Sequence, residues 1–311
     1  MGIRILVTTQ NKRENSFVKY YNNALSKCGM NLSGSDSIHY TSTSDPISLK
    51  GFDALLLGGG CPISPSSYGS NIVLPSHLKS SRLRDSLEIH LYRSARQMGI
   101  PILGICRGMG IINVSEGGSQ YAYIPRVFAH QSHDHSWTED RENLRKDYRT
   151  AIKHKIVLNE FINKSSQTLL YRSLEGAEID GKYEGNYIGV NSMHKQGVKT
   201  LGRGLVMVAS DNQTYKVTAA ERLTQDKEID CVVIRAGEWL TTDYNRPLPE
   251  AIELKDCSQY LLGVQFHPDA FVDEDSRVGR FSRNIFKSFV NSARVYSNQG
   301  REVNTYANPV K

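Results

Sequence analysis

Cys106 sits in Gly104-Ile105-Cys106-Arg107-Gly108, directly after the apolar residues Ile102 and Leu103. A thiol with glycines two positions before and after it, where a strand turns sharply into a helix, is the pattern of an exposed nucleophile. The glycines are needed because the turn brings neighbouring backbone close together, and the unpaired N–H groups at the helix start favour a thiolate. A thiolate that attacks a carbonyl also needs an imidazole to move its proton and a carboxylate to orient that imidazole. His267 and Asp269 offer both, in Gln265-Phe266-His267-Pro268-Asp269 at the end of a second apolar run. Pro268 stops that strand, so both side chains can turn toward one site at the carboxyl edge of a sheet. Negative charge developing on the attacked oxygen requires N–H donors at about 3 Å. The N–H of Arg107 and the loop Gly58-Gly59-Gly60 are the candidates, with Gly60 favoured over Gly59. A buried inert cysteine among packing glycines, or a histidine that only caps a loop, would use the same residue types. The two segments therefore carry the argument jointly.

These residues need a scaffold that brings strand ends together. Ile3–Thr8 reads as a strand, and Glu14–Ser26 as a helix with Phe17, Tyr20, Tyr21, Ala24 and Leu25 at helical spacing. After the polar stretch Ser33–Ser48, the apolar run Phe52–Leu57 ends abruptly in the three glycines, as a buried parallel strand ends in a functional loop. Leu83, Leu87, Leu91 and Ala95 give Arg82–Met98 a helical face closed by Gly99, and Ile100–Ile105 is the next strand. This alternation predicts an α/β fold with an open, mostly parallel sheet flanked by helices. Past Tyr121 the chain loosens into polar, histidine-bearing loops, and strands return at Tyr187–Val190, Leu205–Ala209 and Tyr260–Phe266. The second half is more β-rich, with strand-and-turn material over about 210–247, including Cys231–Ile234, read as an insertion. A last helix is expected at Val278–Ala293, one domain over 1–297, and a polar tail over 298–311.

Composition limits the classes of function. The 311 residues carry 38 basic and 32 acidic side chains, a formal charge of +6, with 39% hydrophobic residues. Mean hydropathy is −0.43. No run approaches the ~20 apolar residues of a membrane span, and no basic block marks a nucleic-acid surface. The N-terminus reads as a strand and not as an export signal. Cysteines 28, 61, 106, 231 and 257 are odd in number and lack C-x-x-C spacing, which argues against a disulfide framework and for a reducing, cytoplasmic setting.

The chain resembles class I glutamine amidotransferase-like proteins, in particular the γ-glutamyl-γ-aminobutyrate hydrolase branch of the γ-glutamyl hydrolases. The resemblance rests on Leu55–Gly60, Pro65 with Tyr68-Gly69, Arg84-Asp85 opening a helix, Gly104–Met109 running to Asn113 and Gly117-Gly118, Val190–Gln196, and Gly263–Pro268. It implies Cys106 as nucleophile, His267 as base and Asp269 as orienting acid, acting on a small γ-glutamyl substrate through a thioester. It also implies Gln131 and His194 as substrate contacts, and neither metal nor cofactor. His130-Gln131-Ser132-His133-Asp134-His135 thus reads as a pocket border and not as a metal cluster. The Arg107 side chain could pair with a substrate carboxylate or with a structural acid. The chain departs from the pattern with Asp269 in place of the usual Glu, Cys61-Pro62-Ile63-Ser64 where aspartates are common, and His194-Lys195 where two histidines are common. Glu250–Leu254 resembles the strand before the histidine strand, which sets the insertion limits. Two rival functions are a glutaminase subunit feeding a separate synthetase and a non-catalytic binding relative. A second copy or a protein partner on the insertion stays open.

Overall fold

The computed structural model describes residues 2–10, 16–42, 48–124, 152–163, 166–177, 186–211 and 248–306. In chain order the strands are β1 (Arg4–Thr8), β2 (Ser37–Thr41), β3 (Ala54–Leu57), β4 (Ile102–Ile105), β5 (Ser119–Tyr121), β6 (His154–Leu158), β7 (Phe161–Asn163) and β8 (Ser166–Gln167). They continue with β9 (Tyr187–Val190), β10 (Gly197–Thr200), β11 (Leu205–Asp211), β12 (Pro249–Leu254) and β13 (Leu261–Val264). The main helices are α1 (Ser16–Lys27), α2 (Arg82–Met98), α3 (Arg107–Ser115) and α4 (Arg277–Tyr306). None of them is long and apolar enough to cross a membrane.

Nine strands form one open sheet in the order β2-β1-β3-β4-β13-β12-β11-β6-β9. Pairing is parallel from β2 through β13. From β13 to β9 it is antiparallel, and those strands are the β-rich second half. Every residue of β3, β4 and β13 is buried, which is why each reads as a continuous apolar run and not as an alternation. Alternate residues feed two cores. Ile5, Val7, Leu56, Ile105 and Val264 pack with α1 and α4 through Tyr21, Leu25, Phe281 and Phe289. Leu6, Leu55, Leu57 and Ile102 pack on the opposite face with Leu91 and Ala95 of α2 and Met109 and Ile112 of α3. The chain is thus an α/β protein with an open central sheet flanked by helices.

α2 starts and ends where its sequence indicates. Ser81 accepts from the Arg84 N–H at 3.3 Å, and Gly99 at φ +69° closes the last turn with its N–H on Ala95 and Arg96. Three differences have physical reasons. β2 lies within the polar stretch 33–48 because it is an edge strand, mostly half-exposed, so it needs no apolar run. β6 alternates buried and exposed residues in a region where polar flanks obscure the pattern. α4 runs on to Tyr306, through residues expected to begin a tail, because no proline interrupts it before Pro309. Most of the expected insertion, 212–247 with Cys231–Ile234, lies outside the described residues.

A buried charge network beneath the strand ends fixes the loops that follow β3 and β4. Glu88 receives Arg84 Nε at 2.8 Å and Arg107 Nε at 3.0 Å. Asp85 receives Arg107 Nη2 at 2.7 Å and the Ser64 N–H at 2.9 Å. Arg84 Nη2 donates to the carbonyls of Gly58 and Gly59, and Arg107 Nη1 to that of Cys61. The Arg107 guanidinium is therefore committed to structural acids, and the reading in which it meets a substrate carboxylate is set aside. Glycine spacing closes the same junction. A Cβ on Gly104 would lie 2.7 Å from the Gly108 carbonyl carbon, and one on Gly108 would lie 2.0 Å from the Leu57 oxygen.

Two substitutions test this frame. Glu88→Ala takes the carboxylate from buried Arg84 and one of two carboxylates from buried Arg107, and should lower unfolding free energy by about 3–5 kcal/mol, read as a shift in the denaturant midpoint. Gly108→Ala should cost about 1–3 kcal/mol by overpacking, whereas a fully stable Gly108→Ala protein would contradict the close approach of α3 to β3.

Candidate active site

Cys106 forms the junction between β4 and α3, at φ +56° and ψ −106°. A non-glycine residue in that region is strained, and its N–H is tied to the Val264 carbonyl at 2.7 Å. The turn therefore holds the sulfur at the carboxyl edge of the sheet, between β3 and β13. Only 7% of Cys106 is exposed.

His267 follows β13, and the Cys106 side chain is near enough to its ring to favour the charged imidazole. On the other side its Nδ1 lies 3.2 Å from Asp269 Oδ1. Asp269 belongs to the short 3-10 turn Pro268–Ala270. At that distance the carboxylate meets the ring although it is one methylene shorter than Glu. Burial opposes charge on His267, but the Cys106 thiolate and the Asp269 carboxylate outweigh it and push the pKa up to about 10. The imidazolium is the state these surroundings favour for His267.

The imidazole is fixed from several directions. Asn191 Oδ1 accepts from the His267 N–H at 2.8 Å, and Asn191 Nδ2 donates to the His267 carbonyl at 3.1 Å. Phe17 stacks on the ring with centroids 5.4 Å apart. Gly59 lies so close that a Cβ there would sit 2.7 Å from His267 Cε1. Tyr21 Oη accepts from the Gly59 N–H at 2.9 Å, and Thr8 Oγ1 from that of Gly58 at 3.2 Å. The Gly60 N–H is then the one in this loop with no acceptor among the described residues, and Gly60 has φ +148°. The N–H of Arg107, at the first turn of α3, has no intrahelical acceptor either.

Beside the sulfur is a cavity lined by Cys106 and Arg107, by Gly60–Ile63 on one wall and by Met193–Gln196 on the other; His267 does not line it. His194 is in that second wall, 4% exposed, with Nδ1 2.8 Å from the Gln196 carbonyl. Burial holds His194 below the ordinary imidazole range, although Glu250 is 3.8 Å from its Nε2. Glu250 also faces His154 Nε2 at 3.4 Å; burial opposes charge there too, yet the carboxylate outweighs it and raises the His154 pKa.

The structure thus brings together Cys106, His267, Asp269, Gly60, Arg107 and His194. Gln131 and the histidine segment 130–135 lie outside the described residues. Sequence reasoning missed the roles of Asn191, Tyr21, Phe17 and Glu88. Asn191 stands in a segment whose residues were already singled out, so its polar amide beside a strand end was a readable signal. Tyr21 and Phe17 were indistinguishable from core residues of an amphipathic helix.

Comparison with known proteins follows the same lines. Residues 19–229, which include the glycine loop and the cysteine turn, match the Peptidase C26 family. The chain is similar to a Schizosaccharomyces pombe protein named as a candidate glutamine amidotransferase, at 27% identity over 266 residues, covering 83% of this chain and 79% of that protein. It is 40% identical over 220 residues to Protein NtpR of Enterococcus hirae, covering 70% of this chain and 66% of that one. Among solved structures, the glutaminase domain of Trypanosoma brucei CTPS with bound acivicin shares the fold at a TM-score of 0.51 and 14% identity, covering 94% of each chain. A Thermoplasma acidophilum protein described as a candidate component of GMP synthase does so at a TM-score of 0.50 and 14% identity, covering 97% of this chain and 98% of that one. A cysteine turn on this sheet, matched over most of the length, leads to one conclusion: the chain belongs to the Peptidase C26 family, within the class I glutamine amidotransferase-like superfamily.

Proposed function

We propose that the protein hydrolyses γ-glutamyl amide bonds, with Cys106 as nucleophile, His267 as acid and base, and Asp269 as the group that orients His267. The observation that carries this reading is the relay from the strained Cys106 through His267 to Asp269, 3.2 Å beyond it. The Cys106 thiolate adds to the γ-carbonyl carbon, and the charge passing to oxygen meets the N–H groups of Arg107 and Gly60. As the C–N bond breaks, the His267 imidazolium gives its proton to the departing amine, leaving a γ-glutamyl thioester on the sulfur. Water then attacks the thioester, His267 takes its proton, and the acid departs as the thiolate and imidazolium re-form. Every step is an addition, an elimination or a proton transfer carried by these side chains and water, so the cycle calls for neither metal nor cofactor. His194, in the cavity wall, is the proposed substrate contact.

A panel of γ-glutamyl conjugates tests the reading, with γ-glutamyl-γ-aminobutyrate, polyglutamates, protein isopeptides and free glutamine as its members. Wild type should turn over at least one conjugate and carry the added acyl mass on Cys106 in intact-protein mass spectrometry. Cys106→Ser should lose about 10³-fold or more in kcat. Silence of the wild type across the panel would sink the proposal.

The pH profile gives a second test. Because the folded pKa of His267 is raised, the imidazolium persists through neutral pH and is lost as pH climbs through about 10. Activity should therefore fall along an alkaline limb in that region. Removing the Asp269 charge with Asp269→Asn should move the limb down by about 1–3 pH units. An unmoved limb would mean that Asp269 does not hold the imidazole charge.

A further inference from the structure

The turn between β12 and β13 and the short helix Leu169–Arg172 border a second cavity, at the edge of the sheet opposite Cys106. It measures about 690 Å³, inside the range of small-molecule sites. β13 separates it from the first cavity. Leu261, the first residue of that strand, lines the second cavity, whereas Gln265, just past its last residue, lines the one beside Cys106. That length of strand puts the two about 13 Å apart. The proposed hydrolysis makes no use of the second space.

Its walls are set by bonds within the fold. Gln259 donates to the carbonyls of Ala95 and Ile100 and accepts from Arg96 Nη1 at 2.6 Å. The Tyr260 hydroxyl is hydrogen-bonded to Ser288 Oγ at 2.9 Å. Both oxygens of Glu253 accept backbone N–H groups, from Leu169 and Leu170 at 2.9 Å each, so these donors at the start of the short helix are already taken. Leu169, Leu254, Tyr260 and Leu261 supply the apolar part of the lining. Walls fixed before a ligand arrives spare binding the cost of ordering them.

The charged residues in the lining are Arg172 and Glu253. Burial pushes the Glu253 carboxyl up to about 7, although the two N–H groups and Arg172 favour its charge. Near neutral pH, then, only part of a negative charge faces the cation. The Arg172 guanidinium has no hydrogen-bond acceptor and no ion-pair partner among the described residues. Arg172 is exposed at the rim, and its planar fork of donors fits a carboxylate at two points.

We propose that this cavity is a second ligand site, for a small organic carboxylate with an apolar body, in which Arg172 pairs with the carboxylate and the leucines and Tyr260 take the body.

Calorimetric titration with phenylbutyrate tests the proposal. Its comparators are phenylbutyramide, which keeps the body and removes the charge, and acetate, which keeps the charge and removes the body. Wild type should bind phenylbutyrate in the millimolar range or below, about tenfold tighter than either comparator. Arg172→Gln, at an exposed position, should weaken the acid to the level of the amide without moving the denaturant midpoint. Ser292→Trp, which puts an indole into the cavity from α4, should abolish binding, and Cys106→Ser should leave it unchanged. The proposal is overturned by no binding up to about 10 mM, by equal affinity for acid and amide, or by an Arg172→Gln protein that binds like wild type. Loss of binding in Cys106→Ser would assign the ligand to the other cavity and overturn it as well. Should Ser292→Trp fail to fold, Arg172→Gln decides.

Discussion

One buried carboxylate, Glu88, holds the site's architecture together. It lies in the middle of α2, receives guanidinium groups from its own helix and from the start of α3, and accepts the Thr8 hydroxyl at 2.7 Å. Through Arg84 it reaches the glycine loop after β3, and through Arg107 the turn that carries the nucleophile. Desolvating such charges is costly, and the arrangement persists because each has its partner. What the network fixes is relative placement. The backbone N–H groups of Gly60 and Arg107 come from two separate loops, yet the same carboxylate steadies both. Arg107 therefore borders the cavity while its side chain is tied into the frame.

The proposed relay is built on a different balance. His267 is buried, which alone would keep it neutral, yet two anionic neighbours reverse that outcome. Strain at Cys106, stacking on Phe17 and the paired bonds to Asn191 hold sulfur and ring in mutual reach. Partners elsewhere in the fold hold the polar groups around them in place, which is the condition under which fixed dipoles stabilise charge developing in a reaction.

Much of this was legible in the residues. Gly104 and Gly108 announced a tight turn because no larger residue fits between α3 and β3, and the buried strands announced themselves as unbroken apolar runs. Pro268 marked the end of β13 and so the position of His267. Other parts were hidden for physical reasons. β2 pairs on one side only and needs no apolar pattern. The partners of Arg107 lie on another helix, and sequence spacing cannot distinguish an arginine that faces a ligand from one that faces Asp85 and Glu88. Asp269 posed the same problem, since its distance from the ring is set only in the folded chain. Between Gly58, Gly59 and Gly60, the choice of N–H donor is made by Thr8 and Tyr21, which are remote in the sequence.

β13 is the seam of the sheet, with parallel strands on one side and antiparallel strands on the other. It also delivers His267, 161 positions after Cys106. During synthesis at about 5–20 residues per second, Cys106 leaves the ribosome roughly 8–30 s before His267. Throughout that interval the nascent thiol has no imidazole beside it, and the two halves of the sheet have no strand to join them. On the proposed mechanism, closing the fold and completing the site are a single event, so a truncated product lacking β13 carries Cys106 without the imidazole it is proposed to work with.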